Sequence, residues 1–132
     1  MSSLKRVDLT NSQLDALREI VGDRLSINES VLDQHGRDES AFPPVLPSAV
    51  LYPKSTDEVS RILSICNSEL IPVVPFGAGT SLEGHVLPLK GGISLDMTEM
   101  NKVLKISAED LTVRVEAGVT RVTLNNLLSK EG

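Results

Sequence analysis

The segment with the densest chemical content is Pro75-Phe76-Gly77-Ala78-Gly79-Thr80-Ser81-Leu82-Glu83-Gly84-His85. Closely spaced glycines let backbone N–H groups converge on an anion with no Cβ atoms in the way. Thr80 and Ser81 add hydroxyl donors, while Lys and Arg are absent from the loop. A phosphate bound here would therefore be held by neutral donors, which suits a diphosphate shared with other parts of a site better than a γ-phosphate under transfer. A Walker loop is excluded, because it ends in Gly-Lys-Ser/Thr and this loop has Leu82-Glu83-Gly84. The Rossmann fingerprint is excluded too: its third glycine opens a helix three residues after the second, whereas Gly77 and Gly79 are followed only by Gly84, and Pro88, Gly91 and Gly92 prevent a long helix. On pattern alone, an anion-binding loop and a purely structural glycine turn after a strand both fit.

Other residues with reactive side chains are scattered. His85 adjoins the loop and either reaches a bound ligand or makes a structural hydrogen bond. Glu83 either stands near the ligand or orients the loop, and orientation is the expected role. His35 and Asp38 are too few for a metal site and have no Cys partner, so no metal is expected. Asp96 at a strand's end either caps the turn Met97–Asn101 or faces a cofactor; capping is expected. Cys66 falls on the apolar face of a helix and reads as core.

The elements that must position these residues are legible from periodicity. Thr10-Asn11-Ser12 precede Leu14, Leu17, Ile20 and Val21, one helical stripe closed near Gly22. Asn28 to Pro47 reads as irregular, since Pro43, Pro44 and Pro47 forbid a regular helix or central strand. From Pro47 an α/β rhythm begins: a strand Ala49–Tyr52, then a helix opened by Ser55 with Glu58 as a capping box, its face Val59, Ile62, Leu63 and Cys66. The strand Ile71–Val74 follows, completing a βαβ unit with parallel strands and a right-handed crossover. Gly92–Asp96 reads as a third strand, and Val103–Ile106 with Leu111–Val115 as a pair joined at Ala108-Glu109-Asp110. Alternation in the last strand predicts one buried and one solvated face. Thr120 caps a final helix carrying Val122, Leu124, Leu127 and Leu128, and Gly132 reads as its C-cap. With little after it to close a sheet or build a second lobe, the chain reads as a fragment.

Composition narrows the class. At 132 residues the chain is about one domain long. Thirteen basic against eighteen acidic side chains give a net charge of -5, and aromatics are only 2%, so nucleic acid is not an expected partner. The single cysteine excludes an internal disulfide and fits a reducing compartment. Met1–Thr10 has no apolar h-region, and the longest near-continuous apolar run, Leu70–Phe76, holds two prolines and is too short to span a bilayer. A soluble cytoplasmic protein is expected.

Taken together, Val74-Pro75-Phe76-Gly77-Ala78-Gly79-Thr80-Ser81-Leu82-Glu83-Gly84 and the preceding Pro53-Lys54-Ser55-Thr56-Asp57-Glu58-Val59 resemble the flavoproteins related to vanillyl-alcohol oxidase. The branch of glycolate oxidase flavin subunits and D-lactate dehydrogenases is the most similar. Further matches are His35-Gly36-Arg37-Asp38-Glu39-Ser40, Asp96-Met97-Thr98-Glu99-Met100-Asn101 and Val115-Glu116-Ala117-Gly118-Val119-Thr120, in the family's order across residues 33–130. The resemblance implies that the loop wraps the pyrophosphate of FAD, with contacts from Pro75, Phe76, Gly77, Ala78, Gly79, Thr80, Ser81 and Gly84. Some relatives carry in this loop a histidine bonded covalently to the isoalloxazine; Thr80 aligns with it, which implies non-covalent FAD.

The expected architecture is α/β (α+β): the first lobe of a two-lobe FAD-binding domain, a small mostly parallel sheet with flanking helices plus a β-hairpin. Residues 1–46 would form an N-terminal helix and extended linker, and 47–132 the truncated lobe. The implied activity is oxidation of a small 2-hydroxy acid, glycolate or D-lactate, to the 2-oxo acid, with electrons passing to a separate acceptor and partner subunits in play. No catalytic residue is expected within this chain, so the chain alone is expected to be inactive. Two rivals stand beside this reading: a flavin-free structural or binding fragment of the same fold, and a flavoenzyme acting on alkyl ethers, sugar lactones or cell-wall precursors.

Overall fold

In the computed structural model, residues 5–131 are described. The expected cap at Gly132 and the first four residues of the opening segment lie outside them. The described residues hold four α-helices, α1 (Asn11–Val21), α2 (Glu29–Gln34), α3 (Thr56–Ser68) and α4 (Arg121–Leu128), and six strands, β1 (Leu25–Ser26), β2 (Ala49–Leu51), β3 (Val73–Phe76), β4 (Ile93–Asp96), β5 (Val103–Ser107) and β6 (Thr112–Val115). The fold is mixed α/β as expected, a small mostly parallel sheet with helices and a separate antiparallel hairpin.

Local chemistry sets the helix ends. At α1 the Thr10 hydroxyl accepts from Gln13 N–H and the Gln13 side chain accepts from Thr10 N–H, a complete capping box. At α3 the expected box is half formed. Ser55 accepts from Glu58 N–H, but the Glu58 carboxylate takes the N–H of Lys54 and the guanidinium of Arg24 instead of closing on Ser55. The buried face of α3 is Ile62 and Cys66, flanked by Val59 and Ile65; Leu63, expected inside, is 43% exposed.

The four-stranded sheet has the order β1-β2-β4-β3. β2, β4 and β3 run parallel, and β1 adds an antiparallel edge. The βαβ unit is present, yet its two strands are not neighbours, because β4 enters between them. β4 is buried along its whole length and belongs in the centre. β3 carries Pro75 and follows Pro72, residues with no N–H to give, and so belongs at an edge. It begins two residues later than expected, since Ile71 N–H closes back on Cys66 O at the end of α3. The core lies between this sheet and the pair α1 and α3, built from Leu17, Val21, Leu25, Leu51, Ile62, Ile93 and Leu95.

Two expectations are corrected. The stretch from Asn28 contains a helix: Asn28 caps α2 through Ser30 N–H, and α2 ends at Gln34, well before the first proline. Proline forbids a helix only around its own turn. The alternation in β6 does not give a buried face, for all four residues are exposed. A period of two fixes which side chains share a face, but a face is buried only if something packs on it.

Candidate functional site

β3 and β4 end together, with Met97 N–H donating to Phe76 O, and the glycine loop leaves at this carboxyl end of the parallel strands. In open α/β sheets this is the side on which ligands bind. Two glycines of the loop differ in what they serve. Gly79 has φ +69°, and a methyl added there would lie 2.7 Å from Phe76 Cζ, so the protein's own packing demands glycine. Gly77 has no positive φ, and a methyl there would meet nothing within 4 Å. Internal packing gives no reason for a glycine at 77; a ligand approaching the backbone would.

The donors point the same way. Among the described residues, the backbone N–H groups from Gly77 to Glu83 donate to no other protein group. Such a run of unpaired N–H groups is a ready anion cradle when the backbone is free of side chains. Gly77, Ala78 and Thr80 line a cleft of about 400 Å³, and the opposite wall is Ala117 to Val122. That wall includes Thr120, which caps α4 by accepting from Thr123 N–H. It is held by Gly118, which sits so close to the turn after β4 that an added methyl would fall 1.9 Å from Met97 O. Reading the sequence residue by residue gave this second wall no role; the signal for it was the Val115–Thr120 similarity.

The structure thus brings Gly77, Ala78 and Thr80 to one cleft. Phe76 lies beneath Gly79 as a prop, Pro75 is exposed on the edge strand, and Ser81 turns its hydroxyl to His85 Nδ1 at 2.9 Å. His85 thus makes a hydrogen bond within its own loop. Gly84, with φ +77°, donates its N–H to Asp38 Oδ2 at 2.9 Å.

Asp96 caps its turn as expected, accepting from Thr98 N–H and Thr98 Oγ1. It also faces His35, whose Nε2 is 2.7 Å from Asp96 Oδ2 and whose Nδ1 is 2.8 Å from Val31 O. Both residues are buried. Burial works against a charge on either, but hydrogen bonds to Asp96 and Val31 raise His35, and those from His35 and Thr98 lower Asp96. The His35 ring packs on Phe76 with centroids 4.3 Å apart. Asp38 is lowered by hydrogen bonds from Ser40, against burial, and further by the N–H of Gly84.

Comparison with known proteins agrees with this geometry. The family profile described as "FAD binding domain" matches residues 47–132. The chain is 41% identical over 120 residues to a probable mitochondrial D-lactate dehydrogenase of Danio rerio, covering 90% of this chain and 24% of that protein. It is 41% identical over 87 residues to a glycolate oxidase subunit of Bacillus subtilis, covering 66% of this chain and 18% of that protein. Among solved structures, 4-ethylphenol oxidase from Gulosibacter chungangensis superposes with a TM-score of 0.84 at 26% identity, over 97% of this chain and 26% of that one. The chain therefore spans about a quarter, or less, of the length of these relatives. No helix among the described residues is long and apolar enough to cross a membrane. With the parallel sheet, the glycine loop at its carboxyl end and the matched residues all in agreement, the chain belongs to the FAD binding domain family.

Proposed function

We propose that the loop from Pro75 to Ser81, closed by Gly84, holds the pyrophosphate of FAD without a covalent link. The observation that carries this reading is the run of unpaired N–H groups from Gly77 to Glu83, which begins at a glycine that internal packing does not require. Gly77, Ala78, Gly79, Thr80 and Ser81 supply the donors. Pro75 and Phe76 lend contact surface and support, and Gly84 lends its turn, since its own N–H is already taken. Neutral donors suit a diphosphate whose charge is shared with other parts of the site. Thr80, at the place of the linking histidine in some relatives, has no imidazole nitrogen with which to form that bond.

In this reading residues 47–132 are the first lobe of the cofactor domain, working in a reducing, soluble compartment. The intact protein oxidises a small 2-hydroxy acid of the lactate and glycolate class to the 2-oxo acid and hands the electrons to a separate acceptor. FAD, when bound, supplies the two-electron acceptor that no amino-acid side chain provides. The residues described here bind and orient it, and proton transfer falls to groups outside these 132 residues.

The test is a titration of the purified chain with FAD, followed by flavin fluorescence and repeated with Gly77→Val. Saturable quenching that the variant loses, with unchanged far-UV circular dichroism, supports the loop as the cofactor cradle. Equal binding by both removes the loop from the site. Absence of binding by this chain and by a chain of the relatives' full length would end the flavin reading altogether.

A further inference from the structure

The segment His35-Gly36-Arg37-Asp38-Glu39-Ser40, with Phe42 beyond it, is far from the glycine loop in sequence and touches it at both ends. At the loop's start, His35 is fixed by Asp96 and Val31, and its ring packs on Phe76, the side chain that fills the space under Gly79. At the loop's end, Asp38 Oδ2 accepts from Gly84 N–H, across 46 residues of chain. The Phe42 ring covers Gly84, so that a methyl there would lie 2.8 Å from Phe42 Cδ2. Asp38 is itself held in place by Ser40, whose N–H and hydroxyl both donate to Asp38 Oδ1. The segment is closed on itself by Val45 N–H, which donates to Gly36 O.

We propose that Asp38 is a positioning residue for the cofactor loop, the buckle of a strap from His35 to Phe42 that fixes the loop's curvature from the side away from the cleft. The physical case is entropic. A loop whose N–H groups have no partners of their own is costly to order around a ligand unless something else already holds its ends. β3 fixes the first end through Phe76. The last end, at Gly84, has no strand to hold it, and the Asp38 carboxylate is the acceptor that takes its N–H. Without that bond the loop still starts in place but closes by an unfixed turn, and the donors from Gly77 to Ser81 lose their fixed arrangement. The inference rests on the flavin reading of the loop and adds to it a residue that makes no contact with the cleft.

Amide hydrogen exchange across Gly77–Gly84, measured without flavin on wild type, Asp38→Ala and Asp38→Asn, tests the strap directly. FAD titration of the same three proteins tests its consequence. The expected result is about tenfold faster exchange at Gly84 in Asp38→Ala and about tenfold weaker FAD binding, with the carboxamide oxygen of Asp38→Asn restoring part of both. The thermal midpoint of Asp38→Ala should stay within a few degrees of wild type, which separates loop shape from loss of fold. Unchanged exchange at Gly84 would overturn the strap. Faster exchange with undiminished FAD binding would overturn the positioning role while leaving the flavin reading intact. If neither this chain nor a chain of the relatives' full length binds FAD, the flavin reading fails, and the exchange data still decide whether Asp38 holds the loop.

Discussion

His35 Nε2 donates to Asp96 Oδ2 across 2.7 Å, tying the end of α2 to the last residue of β4, 61 positions further on. Each residue is 4% exposed, and both ring nitrogens of His35 meet an oxygen, the second being Val31 O. An imidazolium has two donors and no acceptor, so this setting satisfies the charged form completely and leaves the neutral form with one oxygen unanswered. The same ring braces Phe76, which makes the ion pair part of the support of the glycine loop as well as of the core.

Stability should therefore depend on pH in a definite sense. His35 is raised in the folded chain, so its contribution is complete below about 6.5 and is lost as pH rises through the raised value. Asp96 is lowered, so its contribution is present above about 3.9 and is lost as pH falls through the lowered value. Urea midpoints measured from pH 5 to pH 9 should decline on the alkaline side for wild type. In His35→Gln, whose amide can donate to Asp96 but does not titrate, the chain should be less stable by about 1–3 kcal/mol near neutral pH, with the alkaline step absent. The same step in both proteins would place it on another group.

A second pair anchors the N-terminal segment. Arg24 meets Glu58 fork to fork at 2.7 and 2.6 Å, donates also to Tyr52 O, and leaves Glu58 to accept from Lys54 N–H. The guanidinium, aided by that N–H and opposed by burial, holds the Glu58 carboxyl down to about 2. Its contribution is thus present above the ordinary value near 4.5 and is lost as pH falls toward about 2. Glu58→Gln should cost about 1–2 kcal/mol at pH 7, and the difference from wild type should shrink in acid. Arg24→Lys should not preserve the full contribution, because an ammonium cannot make the two parallel bonds. A pH-independent difference between wild type and Glu58→Gln would remove the ionic share.

Much of this molecule was legible in its residues because its signals are local. Thr10, Ser55 and Thr120 each cap the helix that their spacing announced, and Cys66 lies in the core face of α3. What escaped depends on contacts between distant segments. The two-residue strand β1 is too short to carry a period, and it exists because Leu25 and Ser26 find Leu51 and Val50. The entry of β4 between β2 and β3 follows from burial and from where proline denies a donor, and neither is visible in a βαβ pattern. In the site, the loop itself was plain. The roles of Asp38 at Gly84 and of Gly118 against Met97 were not, since a carboxylate or a glycine reveals its partner only when the chain has folded.

The sequence left open whether the loop's glycines serve an anion or only a turn, and two substitutions divide these alternatives. Gly118 has no room for a side chain: a methyl would fall 1.9 Å from Met97 O and 2.9 Å from Met100 O, while its N–H already donates to Met100 O at 2.8 Å. Gly118→Ala must push the turn before α4 off the turn after β4, at a cost of about 2–3 kcal/mol. Its thermal midpoint should drop by several degrees, and FAD binding should weaken because one wall of the cleft has moved. Gly77→Ala meets no clash and needs no unusual φ, so its stability should stay within about 0.5 kcal/mol of wild type. Its methyl would nevertheless stand where a diphosphate has to approach the backbone, so FAD affinity should fall on its own. A melting curve and a flavin titration on each variant are sufficient. If Gly77→Ala melts early in the manner of Gly118→Ala, the glycine at 77 serves the fold; if it melts like wild type and loses FAD, it serves the ligand.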